Sequence, residues 1–399
     1  MGWAYSTTGA APWPDCNAVT LGCGGPGAAV PLARGLAGIY DQTQWAGDPG
    51  MVSSPLEPGV VVSVNLARSA ARQPGQNPDA VVASVSFDGG ETFSVNAFVN
   101  DDFCIGWFED QASIALERGV IGTNFVVTWR HRGTEVSPFG GCIRAGSVQL
   151  GGIRWATEPR PMPLRGDLFW GVGGMLPVAR TGVVTVVYAN TGQAANVCGG
   201  SVATGWRSIT SLDGGKTWVR DRLIFLSPDQ PTCVPSPTAP RRQAGGIRNF
   251  GFGIGDDGTM YAAFPDDGAT GLRVFRSTDA ADTWEEVFAQ PAQQGEFVFF
   301  PTVAVDERGR VLVMYQTIDG GGQVRTWVLS GAAIWIGPEL ASGPFPTVAG
   351  AIRSLGDYNG IATFPAGAIG PSTATFFPTW TRTDGVISSV EGAFVSVLP

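Results

Sequence analysis

Short apolar runs recur along the whole chain, each of them following a turn. They read VVVSVNL (60–66), NFVVTW (124–129), VVTVVY (183–188), TMYAAF (259–264), RVLVMY (310–315) and TFFPTW (375–380). Apolar residues do not recur at the 3.6-residue spacing of an amphipathic helix, and no apolar run approaches the ~18 residues that span a membrane. The pattern therefore predicts an all-β chain built from repeated units.

A second strand precedes most of these runs, with a tight turn between the two. In PTVAVDERGRVLVMYQ (301–316), the turn Glu307-Arg308-Gly309 joins two alternating apolar runs, which predicts a β-hairpin. Repeated units of roughly 50 to 75 residues, each with four short strands, are typical of a β-propeller.

We therefore predict a single domain over residues 1–399, a six-bladed β-propeller of four-stranded antiparallel blades. Residues 1–39 are expected to form an N-terminal extension, and either this segment or the C-terminal EGAFVSVL (391–398) closes the ring. The predicted blades cover approximately 40–100, 101–163, 164–226, 244–292, 293–342 and 350–399.

One turn motif occurs three times, as SFDGGETF (86–93), SLDGGKTW (211–218) and STDAADTW (277–284). Placed between the third and fourth strands of a blade, it needs Gly214 or Gly215 at positive φ and an aspartate that accepts backbone N–H groups. Ser211 and Thr217 would add side-chain hydrogen bonds, and Trp218 would lie over the turn in the seam between blades. The motif is thus expected to hold the turn together.

The pattern S-x-D-x-G-x-T-W resembles the Asp box, or bacterial neuraminidase repeat, and the chain from about residue 40 onward resembles the sialidase superfamily of six-bladed propellers. In that family the boxes lie at the periphery, away from the active site. The resemblance therefore implies a structural role for Asp88, Asp213 and Asp279.

Composition agrees with many short strands and tight turns, since the chain has 57 glycines, 29 prolines and only 15% charged residues. The formal net charge is −9, and no basic stripe exists to hold a phosphate backbone, so nucleic acid is not an expected partner. The partner that we expect is a glycan or a small-molecule substrate.

The six cysteines show no Cys-x-x-Cys spacing, and their even number in a turn-rich chain favours disulfides and a secreted or periplasmic location. We expect the local pairs Cys16 with Cys23, Cys104 with Cys142 and Cys198 with Cys233, although free buried thiols remain an alternative. The chain opens without a basic and then apolar leader, which suggests a mature or trimmed form.

The first strands of all blades converge on the central channel, and the segments that lead into them form one mouth. These segments are QWAGDP (44–49), GWFEDQ (106–111), LFWGVG (168–173), GIRNFG (246–251), GEFVFFP (295–301) and RSLGDYNG (353–360). Aromatic faces stack on sugar rings, and paired carboxylates carry out glycosidic chemistry. The candidate residues are Trp45, Asp48, Trp107, Glu109, Asp110, Trp170, Asp357 and Tyr358. The alternative is that these aromatics wedge the blades together and the aspartates cap turns.

Similarity to the sialidases implies roles for several of these residues. Tyr358 matches the position of the tyrosine nucleophile, and Arg248 and Arg353 match arginines that hold a substrate carboxylate. Asp48 or Asp110 would be the acid, and Glu296 is a candidate base for the tyrosine. The family's Phe/Tyr-Arg-Ile-Pro motif is absent, with QWAGDP in the corresponding place.

Three functions are consistent with the sequence. The first is a secreted, sialidase-like glycoside hydrolase acting at the mouth of the channel. The second is a non-catalytic propeller that binds glycans or proteins. The third is an enzyme of another class that reuses the mouth, with a candidate Ca²⁺ ion bound by Asp48, Asp110 or Asp357. The single histidine, His131, excludes a multi-histidine zinc site.

Overall fold

The computed structural model describes residues 44–68, 80–93, 95–100, 104, 108–132, 140–164, 172–192, 202–226, 250–266, 269–331, 334–346, 359–363, 376–383, 388–393 and 395. These residues form β-strands and turns, without an α-helix among them. Within these ranges there is accordingly no helix long and apolar enough to cross a membrane.

The strands form mainly antiparallel sheets. The first sheet contains β1 (Gln44–Ser53), β2 (Val61–Arg68), β3 (Ala80–Ser86) and β4 (Val95–Phe98). A nine-stranded sheet follows, with β5 (Phe108–Arg118), β6 (Asn124–Arg132), β7 (Gly140–Gln149), β8 (Gly152–Trp155), β9 (Arg160–Met162), β10 (Val172–Arg180), β11 (Val183–Gly192), β12 (Val202–Ser211) and β13 (Arg220–Leu226). It consists of two blade-like groups, joined where Ala179 and Arg180 of β10 pair in parallel with Glu117 and Arg118 of β5.

Three further sheets complete the described part of the chain. They contain β14 (Gly251–Ile254), β15 (Met260–Pro265), β16 (Gly271–Ser277) and β17 (Glu285–Pro291); β18 (Glu296–Val305), β19 (Val311–Asp319), β20 (Gln323–Gly331) and β21 (Trp335–Pro346); and β22 (Gly360–Thr363), β23 (Phe376–Thr383) and β24 (Ser388–Gly392). The C-terminal segment pairs with the last sheet, where Val395 and Phe376 form an antiparallel bridge.

The chain divides into two compact units. Unit 1 contains residues 1–164, 175–184 and 211–219, and unit 2 contains the remainder. The main apolar core of unit 1 joins the first two sheets through residues such as Val64, Val85 and Trp129. A core of unit 2 joins the sheets β14–β17 and β18–β21 through residues such as Tyr261, Val274 and Val313.

Burial explains why the apolar runs of the sequence are continuous. Each of the six runs overlaps the second strand of its sheet or of its blade-like group, namely β2, β6, β11, β15, β19 or β23. Every residue of β15 is buried, as are eight of the nine in β19, because inner strands are covered on both faces. The outer strands β13, β17 and β21 instead alternate between partly buried and exposed positions.

The repeated turn motif lies between the third and fourth strands of three sheets, before β4, β13 and β17. In the second copy Asp213 Oδ1 accepts the Thr217 amide at 2.8 Å, Asp213 Oδ2 accepts the Thr217 hydroxyl at 2.6 Å, and Ser211 Oγ accepts the Gly215 amide at 2.8 Å. The other two copies make the same set of bonds around Asp88 and Asp279. The turn is thus closed by side chains, as expected.

Left-handed backbone explains the glycines of this motif. Gly214 and Gly215 have φ values of 72° and 87°. The third copy keeps the same conformation without glycine, since Ala280 and Ala281 have φ values of 57° and 62°. Trp284 of that copy donates its indole N–H to Ser208 Oγ at 3.1 Å, so the tryptophan joins β12 to the turn.

The structure contains the disulfide between Cys104 and Cys142, and both residues are buried in the core of unit 1. Cys16, Cys23, Cys198 and Cys233 lie outside the described residues, so the other two pairs remain predictions. His131 lies within β6.

Candidate functional site: the mouth end of sheet β18–β21

Glu296 begins β18, and strand register brings the end of β19 and the start of β20 to the same place. Glu296 pairs with Asp319 in the antiparallel ladder, and β20 starts at Gln323. We call this the mouth end of the sheet, because it is the end at which the first strand begins.

The tight turn from β19 to β20 is shaped by Asp319. Its Oδ1 accepts the amides of Gly321 and Gln323, both at 2.9 Å. Gly320 and Gly321 are exposed and carry no side chains.

Three charged side chains meet below this turn, and we call them the Glu296 cluster: Glu296, Asp319 and Arg325. Arg325 Nη1 lies 2.6 Å from Glu296 Oε1 and 3.3 Å from Asp319 Oδ2. The side chain of Glu296 is 5% exposed, against 29% for Asp319 and 24% for Arg325. Glu296 Oε2 is buried and has no hydrogen-bond partner in the described part of the chain. The cluster thus holds one acceptor atom that it does not itself use.

A β-bulge in β18 lies directly below the cluster. Phe299 pairs with Gln316 and Thr302 with Met314, so Phe300 and Pro301 together oppose Tyr315. Phe300 takes a φ of 50°, a conformation that is uncommon for a non-glycine residue. Val298 before the bulge and Val303 after it both join the same core as Tyr315. The bulge therefore reverses the alternation of β18, which explains why its apolar pattern is continuous.

Tyr315, Thr317 and Asp319 alternate along β19 and share one face of the sheet. Burial, and after it the negative charge of Glu296, raise the pKa of Tyr315, so this phenol stays protonated at neutral pH. Thr317 Oγ1 accepts the indole N–H of Trp327 at 2.9 Å. A neutral phenol and a partly buried indole therefore lie beside the charged cluster.

Asp319 is held in its ionised form. Burial raises its pKa, but the hydrogen bonds from the Gln323 and Gly321 amides, together with Arg325, outweigh that effect and hold the pKa below its usual range. Two acidic groups thus surround one guanidinium, and the cluster has an excess of negative charge.

Glu296 is the one candidate from the sequence whose side chain the structure describes. Asp48 and Trp45 lie on β1, and Glu109 and Asp110 lie on β5, where the structure describes the backbone. Register shifts occur at Gly47–Gly50 and at Asp110–Ser113, so both first strands are bulged near these residues. Trp107, Trp170, Arg248, Arg353, Asp357 and Tyr358 lie outside the described residues, and their roles remain predictions.

Sequence reasoning missed Asp319 and Arg325. The segment IDGGGQVR (318–325) contains a pattern from which they could have been predicted. Three glycines after an aspartate indicate a tight turn, and the arginine comes two residues after the start of the next strand. These residues follow the second strand instead of leading into the first. Among the described residues, no group of three or more histidine, cysteine or acidic side chains could hold a metal ion.

No protein-family model matches the sequence, and no curated protein matches it. Solved structures do match. A polysaccharide lyase, an ulvan lyase, has a TM-score of 0.52 at 8% identity, with 87% of this chain and 81% of that chain covered. An alpha-L-arabinanase from Penicillium chrysogenum has a TM-score of 0.47 at 13% identity, with 89% and 94% covered.

A Hadza microbial sialidase gives a TM-score of 0.48 at 12% identity and covers 87% of this chain. The chain spans 65% of the length of that sialidase. Likeness at such low identity shows the fold alone. The fold is a β-propeller. The predicted class, all-β with four-stranded antiparallel blades, is therefore confirmed, while six as the number of blades remains a prediction.

Proposed function

We propose that this chain is a secreted, glycan-active protein, a sialidase-like glycoside hydrolase that acts at the mouth end of its sheets. The observation that carries the proposal is the Glu296 cluster, where Glu296 is buried and paired with Arg325 through one oxygen, while its other oxygen has no hydrogen-bond partner among the described residues. The ulvan lyase that has a similar fold is described as a polysaccharide lyase, so at least one other protein with such a fold acts on a glycan.

The chemistry of the cluster supports this reaction class. A carboxylate with one oxygen fixed and one free can accept a proton or a substrate hydroxyl without first breaking a bond. Burial strengthens that hydrogen bond, because the low local dielectric screens the interaction less than water does. The proposal includes the roles that the family resemblance implies. These are Tyr358 as nucleophile, Asp48 or Asp110 as acid, and Arg248 and Arg353 as substrate ligands.

A glycan-binding protein without catalysis is the second candidate. The observation that favours it is that Glu296 and Asp319 both pair with one arginine. Carboxylates that stay ionised accept hydrogen bonds from sugar hydroxyls but do not donate a proton to a leaving group.

The experiment measures turnover and binding in parallel. Aryl glycosides of sialic, uronic and neutral sugars are incubated with wild type, Glu296→Gln, Tyr358→Phe and Asp48→Asn, and each protein is also screened for glycan binding. We expect turnover that Glu296→Gln lowers by ~10²-fold or more. Glu286→Gln is the matched control, because Glu286 pairs with Arg273 at 2.8 Å on the exposed outer strand β17. Binding without turnover supports the second candidate, and neither binding nor turnover contradicts both.

A further inference from the structure

The turns at one end of unit 1 are linked to one another by hydrogen bonds. The β1–β2 turn meets the first copy of the turn motif, where the Gly89 amide donates to the Gly59 carbonyl at 2.8 Å. It also meets the β5–β6 turn, where the Thr123 hydroxyl donates to a carboxylate oxygen of Glu57. The Thr123 carbonyl accepts the amide of Val148, next to the β7–β8 turn, at 2.9 Å.

The second copy of the turn motif joins this group through the β10–β11 turn. Thr181 of that turn donates its amide to the Arg118 carbonyl at 3.0 Å, and the Gly182 carbonyl accepts the Gly214 amide at 2.7 Å. We call the six linked turns the turn face of unit 1, with residues 54–60, 86–93, 119–123, 150–151, 181–182 and 211–218. The turn face lies at the strand ends opposite to those at which β1 and β5 begin.

Five of these six turns expose a large apolar side chain. Ile121 is 98% exposed and Leu150 is fully exposed, so neither side chain packs on its own protein. Leu56, Phe87 and Leu212 are between 42% and 60% exposed. Single exposed apolar residues are ordinary, but a group of them on neighbouring turns indicates a surface that binds a partner.

The corresponding turns of unit 2 have polar tips. The β14–β15 turn exposes Asp256 and Asp257. In the third copy of the turn motif, an exposed Thr278 occupies the place of Phe87 and Leu212. The fold of these turns therefore does not require an apolar residue at the tip.

The shape of the tips favours a lipid surface over a folded protein. Ile121 precedes Gly122 and Leu150 precedes Gly151, and an added Cβ on either glycine would meet no atom within 4 Å. The space around both tips is therefore open. A specific protein interface needs matched surfaces packed to interior density, whereas protruding apolar side chains enter a bilayer without a shaped pocket.

Charge decides which lipid headgroup fits. The turn face contains the acidic residues Glu57, Asp88, Glu91 and Asp213 and the basic residue Lys216. An anionic lipid surface attracts basic segments and repels a face with this excess of acid. The headgroup of phosphatidylcholine has no net charge and places its quaternary ammonium outermost, where carboxylates attract it.

We propose that the turn face of unit 1 binds the surface of a zwitterionic lipid bilayer, with Ile121 and Leu150 entering the boundary between headgroups and acyl chains. The inference goes beyond the proposed function and does not depend on it. Bound in this way, unit 1 directs the starts of β1 and β5, where the candidates Asp48 and Asp110 lie, away from the lipid.

The test is sedimentation of the full chain with vesicles of pure phosphatidylcholine. We expect wild type to bind and Ile121→Ser/Leu150→Ser to lower the partition coefficient by ~10²-fold or more, because two aliphatic side chains no longer leave water. Ile334→Ser/Leu340→Ser is the matched control, since it removes an exposed isoleucine and an exposed leucine from unit 2 and should not change the partition coefficient. All three proteins should have the same melting temperature, because the exchanged side chains are exposed.

Lipid composition tests the choice of headgroup. We expect binding to weaken when phosphatidylserine replaces part of the phosphatidylcholine. Stronger binding to the anionic vesicles would overturn the zwitterionic surface as the partner.

Other outcomes also contradict the inference. It is wrong if wild type does not bind phosphatidylcholine vesicles, or if the control variant loses as much binding as Ile121→Ser/Leu150→Ser. Sedimentation equilibrium without lipid would assign the turn face to a second copy of the chain if wild type dimerised and that variant did not. Turnover or binding of a soluble glycan should be the same in wild type and variant, so a failure here leaves the proposed function in place.

Discussion

Ala281 donates its amide hydrogen to Ser277 Oγ at 3.0 Å while its own backbone is left-handed, with a φ of 62°. Gly215 makes the same bond to Ser211 at 2.8 Å with a φ of 87°. The turn motif therefore keeps its geometry where alanine replaces glycine, at the cost of backbone strain.

Relief of that strain should stabilise the protein. Ala280 has a φ of 57°, and a left-handed residue with a Cβ costs about 1 to 2 kcal/mol, partly offset by the greater freedom of glycine in the unfolded chain. We expect Ala280→Gly to raise the free energy of unfolding by about 0.5 to 1 kcal/mol, as measured by urea denaturation.

The reverse substitution in the second copy is the control. Gly214 has a φ of 72°, and an added Cβ would meet no atom within 4 Å. Gly214→Ala should therefore destabilise through backbone strain alone, without a steric clash. If Ala280→Gly and Gly214→Ala changed the free energy of unfolding in the same direction, the strain argument would be wrong.

Asp279 should make stability depend on pH in the acid range. Burial raises its pKa, but hydrogen bonds from Thr283, Ser277 and Asp282 outweigh that effect and lower the pKa to about 2. The ordinary pKa of an aspartate is near 3.9, so its contribution is fully present above about pH 4 and is lost as the pH falls toward 2.

Thermal melting between pH 2 and pH 6 measures this contribution. Asp279→Asn should have a shallower loss of melting temperature with acid than wild type, and it should leave any glycan turnover of the folded protein unchanged. If Asp279→Asn had the same melting temperature as wild type at every pH, or lost turnover without losing stability, the hydrogen bonds of Asp279 would not be what stabilises the turn.

The Cys104–Cys142 disulfide closes a sequence separation of 38 residues inside the core of unit 1. A cross-link of this span contributes about 3 to 4 kcal/mol in the chain-entropy account. We expect the double variant Cys104→Ala/Cys142→Ala to melt at a lower temperature than wild type. Because both cysteines are buried, a thiol reagent should label them only after reduction in denaturant. Labelling of either cysteine in the native, unreduced protein would contradict the pairing.

The fold class could be predicted because its signals are local. A fully buried second strand gives a continuous apolar run, and a turn that needs left-handed residues and an aspartate gives the repeated motif. The candidate site could be predicted less well, because it depends on register. The pairing of Glu296 with Asp319 across β18 and β19 is set by a bulge at Phe300 and Pro301, and no local pattern shows which residues it brings together.

Removal of Arg325 should expose the cost of burying Glu296. In Arg325→Met the carboxylate of Glu296, 5% exposed in the wild type, loses its nearest positive charge, and breaking such a pair typically costs about 3 to 5 kcal/mol.

The difference in unfolding free energy between wild type and Arg325→Met at pH 7 should therefore be about 3 to 5 kcal/mol. Arg273→Met is the matched control, since the Arg273–Glu286 pair is more than a third exposed on both sides and should be worth at most about 1 kcal/mol. Urea denaturation of the three proteins at pH 7 measures these differences. A loss of unfolding free energy in Arg325→Met no larger than that in Arg273→Met would show that Glu296 is not a buried charge that Arg325 stabilises.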